Sequence, residues 1–376
     1  MSETLTIKNF GPIKNVELEF RKVNILIGDQ GTGKSSVGKV LSVVKNVLDR
    51  SDMQLWINGE AAGKERMNEY FNDEFKKNLD EYGITNYLKS DTYVEFKDSV
   101  FHLIYENNEV DLQKIPDGNR DRNTRIIAYI PAFREAVMLL NKSIFGLARL
   151  KAPLPQYFFS FGQYVSNAKN LKSFYDYSNI LDIRYKNVNE NDIVILKNGK
   201  EINIGEASSA VNSVVPLLLV FDNAVESNYS TDRRVYNYLN CPYIIIEEPE
   251  LNCFPTTQKK LMEYFISKIK YETSADFDYY CRLVITTHSP YILTSLNNMM
   301  YAYQVGEKYQ LQANEIINKK YWINPDDVSA YMLQDGICED IFDREENLIK
   351  AEKIDGVSGF LNEQFDALLN IELVPK

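Results

Sequence analysis

The sequence predicts an α/β fold: a mixed β-sheet core flanked by helices, with an antiparallel β-subdomain at the N-terminus and a helical insertion in the middle. Three observations carry that expectation. A short apolar strand, "KVNILIG", runs into a glycine-rich turn and then into helix-patterned sequence, "SSVGKVLSVVKNVL". Two further apolar runs, "YIIIEE" and "RLVITT", end in polar residues, and helical patterning follows each. The segments "TLTIKNFGPIKNVELEF" and "TYVEFKDSVFHLIYENNEV" alternate apolar and polar residues as half-buried hairpins do.

In chain order, the first hairpin turns at Gly11-Pro12. Residues 68–88 read as a helix broken by Gly83, and "RIIAYIPAF" reads as a buried strand stopped by Pro131. The stretch from Glu135 to Asp182 reads as irregular helix interrupted by "APLPQ", and "DIVILKNGKEINI" as a hairpin. "GEASSAVNSVVPLLLVF" is a helix entered through small residues. Beyond Asn298 the pattern suggests strands and a closing amphipathic helix at "GVSGFLNEQFDALL". The expected organisation is one domain over 1–376. Its parts are an N-terminal lobe (1–134), a helical/β insertion (135–200), a central segment (201–298) and a C-terminal extension (299–376). No repeat or sustained heptad is present.

Composition narrows the function classes. The chain has 376 residues, 44% hydrophobic and 25% charged, as in ordinary globular proteins. Its 42 basic and 53 acidic residues give a net charge of −11, which argues against a protein that coats nucleic acid nonspecifically. Four scattered cysteines (Cys241, Cys253, Cys281, Cys338) suggest neither a zinc cluster nor a disulfide framework. No signal-peptide pattern opens the sequence, and its longest apolar stretch, "VVPLLLVF", is short of a membrane span. A cytoplasmic protein without membrane contact is expected. The two histidines, His102 and His288, leave little room for histidine-cluster chemistry.

The glycine-rich turn, "GDQGTGKS", fits GxxxxGK[ST] at every fixed position and sits between a buried strand and a helix. Gly28, Asp29, Gln30, Gly31, Thr32 and Gly33 would present backbone N–H groups to phosphate oxygens, with Ser36 continuing the helix N-terminus. Lys34 would reach the β- and γ-phosphates and Ser35 would ligate Mg²⁺, so ATP and Mg²⁺ are the expected cofactors. A chance glycine turn is the competing explanation, and the strand–turn–helix context weighs against it.

A P-loop also needs a carboxylate for its magnesium, expected on a strand next to the P-loop strand. "YIIIEE" supplies one at the strand's carboxyl end, where open α/β sheets place ligands. Glu247 would support Mg²⁺, directly or through water, and Glu248 would orient the attacking water. Solvent-facing acids on an edge strand are the alternative, and the apolar run before them argues against it. His288, in "VITTHSPYIL", follows another buried strand and would donate to a γ-phosphate. A lone histidine is more often structural; its place as third element in order gives it this role.

P-loop, apolar strand with a double acid, then strand–Thr-His-Ser: this order resembles the ABC-type ATPase head shared by SMC-like and RecF-like proteins. The wording of "IKNFGPIKNVEL", "IGDQGTGKSS", "YIPAFRE", "EASSAVNSVVPLL", "EEPELNCFPTTQ" and "TTHSPYIL" is closer still to the bacterial OLD-like ATPases, described as AAA-15/AAA-21-type. The resemblance spans residues 6–293. It implies a P-loop NTPase with an ABC-type head, and "ASSAVNS" resembles the signature motif that caps the nucleotide of an opposing subunit. Ser208 and Ser209 would then donate to the γ-phosphate across a homodimer, possible higher oligomers aside.

Three positions depart from the pattern: Ala210 for a common glycine, Asn212 for a common glutamine, and Glu247 for the aspartate of ABC heads. No Q-loop glutamine can be placed. Arg134 matches an arginine typical of the group, either at the phosphate side or in a buried ion pair. The OLD-like Toprim nuclease is not recognisable: only 88 residues follow His288, and "DGICEDIFDREE" reads as an exposed charge run. With two histidines an HNH nuclease is excluded too. The resemblance therefore implies a slow ATPase controlling a separately encoded effector, a nuclease or toxin, as in Septu-type anti-phage defence. The alternative is a RecF/SMC-like repair ATPase in which ATP gates DNA binding; a transporter subunit fits less well.

One segment stands apart. Between Ala136 and Lys172 there is no acid, while Lys142, Arg149, Lys151, Lys169 and Lys172 accompany Tyr157, Phe158, Phe159, Phe161 and Tyr164. It suits nucleic acid or an acidic partner. The preferred reading is a helical subdomain whose aromatics form its core.

Overall fold

The computed structural model describes residues 3–50, 64–115, 127–140, 143, 146, 154–226, 242–270 and 281–350. The alternation of the first twenty residues becomes β1 (Glu3–Phe10) and β2 (Ile13–Phe20), an antiparallel pair with Leu5 opposite Leu18 and Ile7 opposite Val16. These four side chains are buried on one face, as period-2 patterning requires. The run "VNILIG" is β3 (Val23–Gly28), and α1 (Lys34–Arg50) leaves the turn after it. Val37, Val40, Leu41, Val44 and Leu48 of α1 are buried at helical spacing.

Helix α2 (Lys64–Glu81) ends just before the expected break at Gly83, and beyond it only a short 3₁₀ turn, Thr85–Tyr87, forms. The expected second hairpin is a three-stranded meander: β4 (Tyr93–Lys97), β5 (Phe101–Glu106) and β6 (Glu109–Lys114). Asn107 and Asn108, at φ 53° and 65°, form the two-residue turn between the last two strands. Strand β7 (Ile127–Ile130) stops at Pro131 as expected, and a short helix α3 (Glu135–Leu139) follows.

The middle of the chain departs from its expected helical character. Helix α4 (Gln156–Leu171) gives way to β8 (Phe174–Tyr177), a single turn α5 (Ser178–Leu181) and β9 (Ile183–Val188). With β10 (Asn191–Leu196) and β11 (Glu201–Asn203), the expected hairpin, they make a four-stranded antiparallel sheet in the order β11-β10-β9-β8. The signal was period 2 over only four residues: Tyr175 and Tyr177 point inward while Phe174 and Asp176 face solvent. That length is too short to outweigh a helical neighbourhood.

Helix α6 (Ser209–Glu226) is apolar enough by length and composition to cross a membrane, yet 78% of it is buried inside this fold. It packs on α4 and β7 as a core helix. Strand β12 (Tyr243–Glu247) leads to α7 (Pro255–Lys270), and β13 (Arg282–Thr287) to α8 (Pro290–Lys308). Strands do not follow directly on Asn298: α8 continues, then α9 (Gln310–Ile316), before β14 (Val328–Gln334) and β15 (Ile337–Asp340). Two short strands, β16 (Phe342–Asp343) and β17 (Leu348–Ile349), end the description. The expected closing helix at "GVSGFLNEQFDALL" lies outside the described residues, as does Cys241.

Among the described residues, eleven strands form one sheet in the order β6-β5-β4-β1-β2-β15-β14-β3-β13-β12-β7. From β14 to β7 the pairs are all parallel; β1, β2, β4, β5 and β6 pair antiparallel. This is the mixed core with an antiparallel N-terminal part that the sequence predicts. Parallel strands covered on both faces explain the unbroken apolar runs. In β12, Ile244 and Ile246 enter the core shared with α6, α7 and α8, while Tyr243 and Ile245 enter the core shared with α1.

Among the described residues between Ala136 and Lys172, the aromatics of α4 supply subdomain core. Tyr157, Phe158, Phe159 and Phe161 are buried, Lys172 pairs with Glu226, and Lys169 meets Asp192 at 2.8 Å with both side chains buried. Lys142, Arg149 and Lys151 lie outside the described residues. Lys169 ties α4 to the small sheet, and Asp192 also accepts from Tyr185 and Asn187. Lys169→Met strips a buried carboxylate of its cation, so it is expected to cost about 3 kcal/mol, read from urea denaturation. A loss below about 0.5 kcal/mol would show that the pair contributes nothing to folding.

Candidate functional site

The parallel strands β14, β3, β13, β12 and β7 deliver their carboxyl ends to one edge, where the P-loop, Glu247, Glu248 and His288 lie. The P-loop begins where β3 ends. A Cβ on Gly28 would lie 2.1 Å from the Leu333 carbonyl oxygen of β14, so only glycine lets the two strands run side by side there. Gly33 has φ +105°, and a Cβ would press on Ile13 at 2.9 Å, so the β1–β2 turn closes over the loop. Asp29, Gln30 and Gly31 are exposed, Thr32 and Ser35 half-exposed, and Ser36 buried. Thr32 braces the loop by donating from Oγ1 to the Asp29 carbonyl at 2.9 Å.

Lys34 is buried, and its Nζ donates to the carbonyls of Gly28 and Asp29, both at 2.7 Å. Burial lowers its pKa to about 8, against the opposing pull of Glu248, Asp29 and Glu250. A short step away, Lys39 lies over the Tyr157 ring at 4.9 Å. Burial lowers the Lys39 pKa also, with Glu247 opposing.

The double acid does not sit on a strand next to β3, as the sequence reading expected. Strand β13 lies between β3 and β12, with Ile27 opposite Thr287 and Thr286 opposite Glu247. Gly28, His288 and Glu248 therefore follow one another along the edge. Glu247 is buried: Oε1 accepts from the Tyr129 hydroxyl at 2.5 Å and Oε2 from the Ala132 N–H at 3.0 Å. Burial, with the Glu247 charge adding to it, keeps the Tyr129 phenol protonated far above its ordinary value.

Glu248 adopts φ +44°, a strained conformation for a residue with a Cβ. Its N–H donates to the Thr286 carbonyl at 2.8 Å, and its Oε1 lies 3.5 Å from His288 Nε2. Both side chains remain half-exposed. The structure thus brings together two residues forty positions apart that the sequence named independently.

Arg134 holds this turn in place. Fully buried, it donates from Nε to the Ser213 carbonyl (2.9 Å) and from Nη1 to those of Pro131 (3.2 Å) and Glu247 (2.7 Å). Its Nη2 donates to the Glu248 carbonyl at 2.8 Å. The partners are main-chain oxygens, which corrects the buried ion pair considered above. Burial lowers its pKa to about 10, with Cys253 and the nearby glutamates opposing.

Ser208 and Ser209 are exposed at the mouth of α6. The Ser208 Oγ accepts from the Val211 N–H at 3.4 Å, a helix cap. Asn212 reaches back to the carbonyls of Ala207 (3.2 Å) and Ser208 (3.4 Å), while its Oδ1 is buried and accepts nothing among the described residues. Among the described residues, no hydrogen bond joins either serine to the P-loop, Glu248 or His288. Sequence reasoning missed Tyr129, the Ala132 amide and Glu250, whose Oε1 accepts from Thr287 Oγ1 and the His288 N–H. Only the third acid of "EEPE" hinted at the last.

A triphosphate fits this edge by two observations: the glycines through which the loop hugs β14 and the β1–β2 turn, and a buried lysine whose hydrogen-bond partners among the described residues are loop carbonyls. Among the described residues no three His, Cys, Asp or Glu side chains converge on a metal. A magnesium ion held mostly by phosphate and water does not need them.

A family model described as an AAA ATPase domain matches residues 1–129 and 161–293, well over half of the chain. The chain belongs to the AAA_15 ATPase family. Arg134 falls in the stretch between the two matched parts. Among solved structures, the SMC head domain from Thermotoga maritima is 10% identical with a TM-score of 0.41, covering 90% of this chain and 98% of that one. An SMC head bound to the C-terminal winged-helix domain of ScpA is 12% identical (TM-score 0.42, 90% and 96% covered). The recombination mediator RecF of the RecFOR pathway is 10% identical (TM-score 0.40, 91% and 98% covered). At these scores the likeness carries no functional weight, and the architecture rests on the chain's own topology. Among curated proteins none matches the chain. Membership of AAA_15 makes this an ATPase that binds nucleotide at its P-loop.

Arg134→Lys leaves a point charge where a planar fork meets carbonyls in several directions. This variant of the AAA_15 chain is expected to turn over ATP at least about tenfold more slowly, with ATP affinity falling less than the rate. A wild-type rate in a steady-state phosphate-release assay would remove Arg134 from the site's scaffold. Lys34 loses its charge progressively as pH rises through about 8, so affinity for a fluorescent ATP analogue should fall over that range. Lys34→Arg should flatten that dependence. Because the folded pKa lies below the unfolded value, the same group makes the free chain more stable, not less, as pH rises above about 8.

Proposed function

We propose that this ATPase is a homodimeric, slowly hydrolysing cytoplasmic switch that controls a separately encoded effector, a nuclease or toxin, in prokaryotic anti-phage defence. The observation that carries the ATPase part of this reading is the pairing of Glu248 with His288, 3.5 Å apart, on the sheet edge where the P-loop begins. ATP with Mg²⁺ supplies the γ-phosphoryl group and the charge that this edge meets. The backbone N–H groups of residues 28–35 and Lys34 bind phosphate oxygens. Ser35 and Glu247 would hold the cation, Glu247 through water, since its two oxygens already accept from Tyr129 and Ala132. Glu248 accepts a hydrogen bond from a water molecule and aims it, and His288 donates to the γ-phosphate side. Phosphoryl transfer asks mainly for such positioning.

The exposed Ser208 and Ser209, with no tie to their own chain's P-loop, support a site completed by a second copy. Control of an effector is supported by the OLD-like and Septu-like motif wording. The described part of the aromatic segment lends the DNA-gating alternative no support, because Tyr157, Phe158, Phe159 and Phe161 are core residues and Lys169 and Lys172 are paired.

Glu248→Gln keeps the shape of the turn and removes the water-orienting charge. It is expected to bind ATP, lose at least about 100-fold in turnover, and run as an ATP-dependent dimer in light scattering. Hydrolysis at the wild-type rate would overturn the assignment, and a monomer at saturating ATP would overturn the dimer.

A further inference from the structure

We propose that Glu250 is a positioning residue for hydrolysis, holding the main chain of His288 so that the imidazole stays against Glu248. This rests on the roles given to Glu248 and His288 above and extends them to a side chain that no motif assigned. One oxygen of Glu250 does the holding. Its Oε1 accepts from the Thr287 hydroxyl at 2.8 Å and from the His288 N–H at 2.7 Å. The Thr287 Oγ1 in turn accepts the Ser289 N–H at 2.9 Å. Ser289 Oγ donates to Gln258 Oε1 at 2.5 Å, and Gln258 Nε2 returns to the Cys253 carbonyl at 3.0 Å. A ring of hydrogen bonds thus joins the turn after β12 to the turn after β13.

The first turn is itself wound tight. Pro249 fixes one dihedral, the Leu251 N–H donates to the Glu248 carbonyl (3.0 Å) and the Cys253 N–H to that of Glu250 (2.8 Å). Glu248 and Glu250 therefore move as one body, and the Glu250 carboxylate carries that rigidity to the backbone of His288. Without it, the His288 N–H loses its acceptor and the 3.5 Å spacing to Glu248 is held only by the strands.

A purely electrostatic role competes with this one, because Glu250 faces Lys34 closely enough to favour its charged form. Glutamine separates the two. The second oxygen, Oε2, is buried and accepts no hydrogen bond among the described residues. An amide nitrogen can take its place without facing a donor, while the amide oxygen keeps both bonds of Oε1.

The test is steady-state ATP hydrolysis by the full chain for Glu250→Ala, Glu250→Gln, His288→Ala and the Glu250→Ala/His288→Ala double variant. Glu250→Ala is expected to lower kcat about tenfold with KM changed less than about twofold, and Glu250→Gln to stay within about threefold of wild type. The double variant should be no slower than His288→Ala, since one residue acts through the other. A glutamine variant as slow as alanine, a loss carried by KM, or multiplying effects in the double variant would each overturn the proposal. If His288→Ala hydrolyses ATP at the wild-type rate, the role of His288 itself fails and this proposal with it. Should Glu250→Ala not fold, Glu250→Gln decides: near wild-type kcat supports positioning, a tenfold loss overturns it.

Discussion

The rest of this site depends on one buried guanidinium. Arg134 binds the carbonyls of Pro131, Ser213, Glu247 and Glu248, and so ties the end of β7, helix α6 and the turn after β12 to a single rigid group. Main-chain carbonyls at strand ends are costly to bury without donors. Five N–H groups in one plane answer several such oxygens at once, and no other side chain can do so. The charge is itself costly to bury, which is why its pKa falls to about 10. The nearby glutamates offset part of that cost, so the acids and the arginine stabilise one another without touching as an ion pair.

Fixing the carbonyls has a consequence for backbone conformation. Glu248 is held at φ +44°, a region a glutamate enters only when its surroundings insist. The insistence comes from both ends of the residue: Thr286 takes its N–H and Arg134 takes its carbonyl. Strain of this kind aims the side chain off the strand's alternation and toward His288. Glu247, one residue earlier and unstrained, stays in the strand with both oxygens engaged. Two neighbouring acids are tolerated because backbone geometry sends them to different environments.

The architecture reaches further than the site's own segments. β14, from near the end of the described chain, inserts beside β3 and forces Gly28 to be a glycine. The β1–β2 turn does the same for Gly33. The P-loop is therefore shaped by the first hairpin and by a strand from more than 290 residues further on, as well as by its own strand and helix.

By itself the sequence determined the P-loop, the double acid, the histidine and the apolar strands that carry them. Each rests on local spacing: glycines at a turn, charges at a strand end, alternation of period 2 or 3.6. It also indicated that the aromatics between Tyr157 and Phe161 form a core. Only the tertiary structure decided that β13 separates β3 from β12, because strand order follows from how crossovers pack and leaves no mark on either strand. The short β8 was hidden for a different reason, since four residues of alternation cannot outvote helical neighbours. The bonds of Arg134 and Glu250 were equally illegible. Most of their partners are backbone groups, available at every position, and which of them come within hydrogen-bonding distance is settled only once the chain has folded.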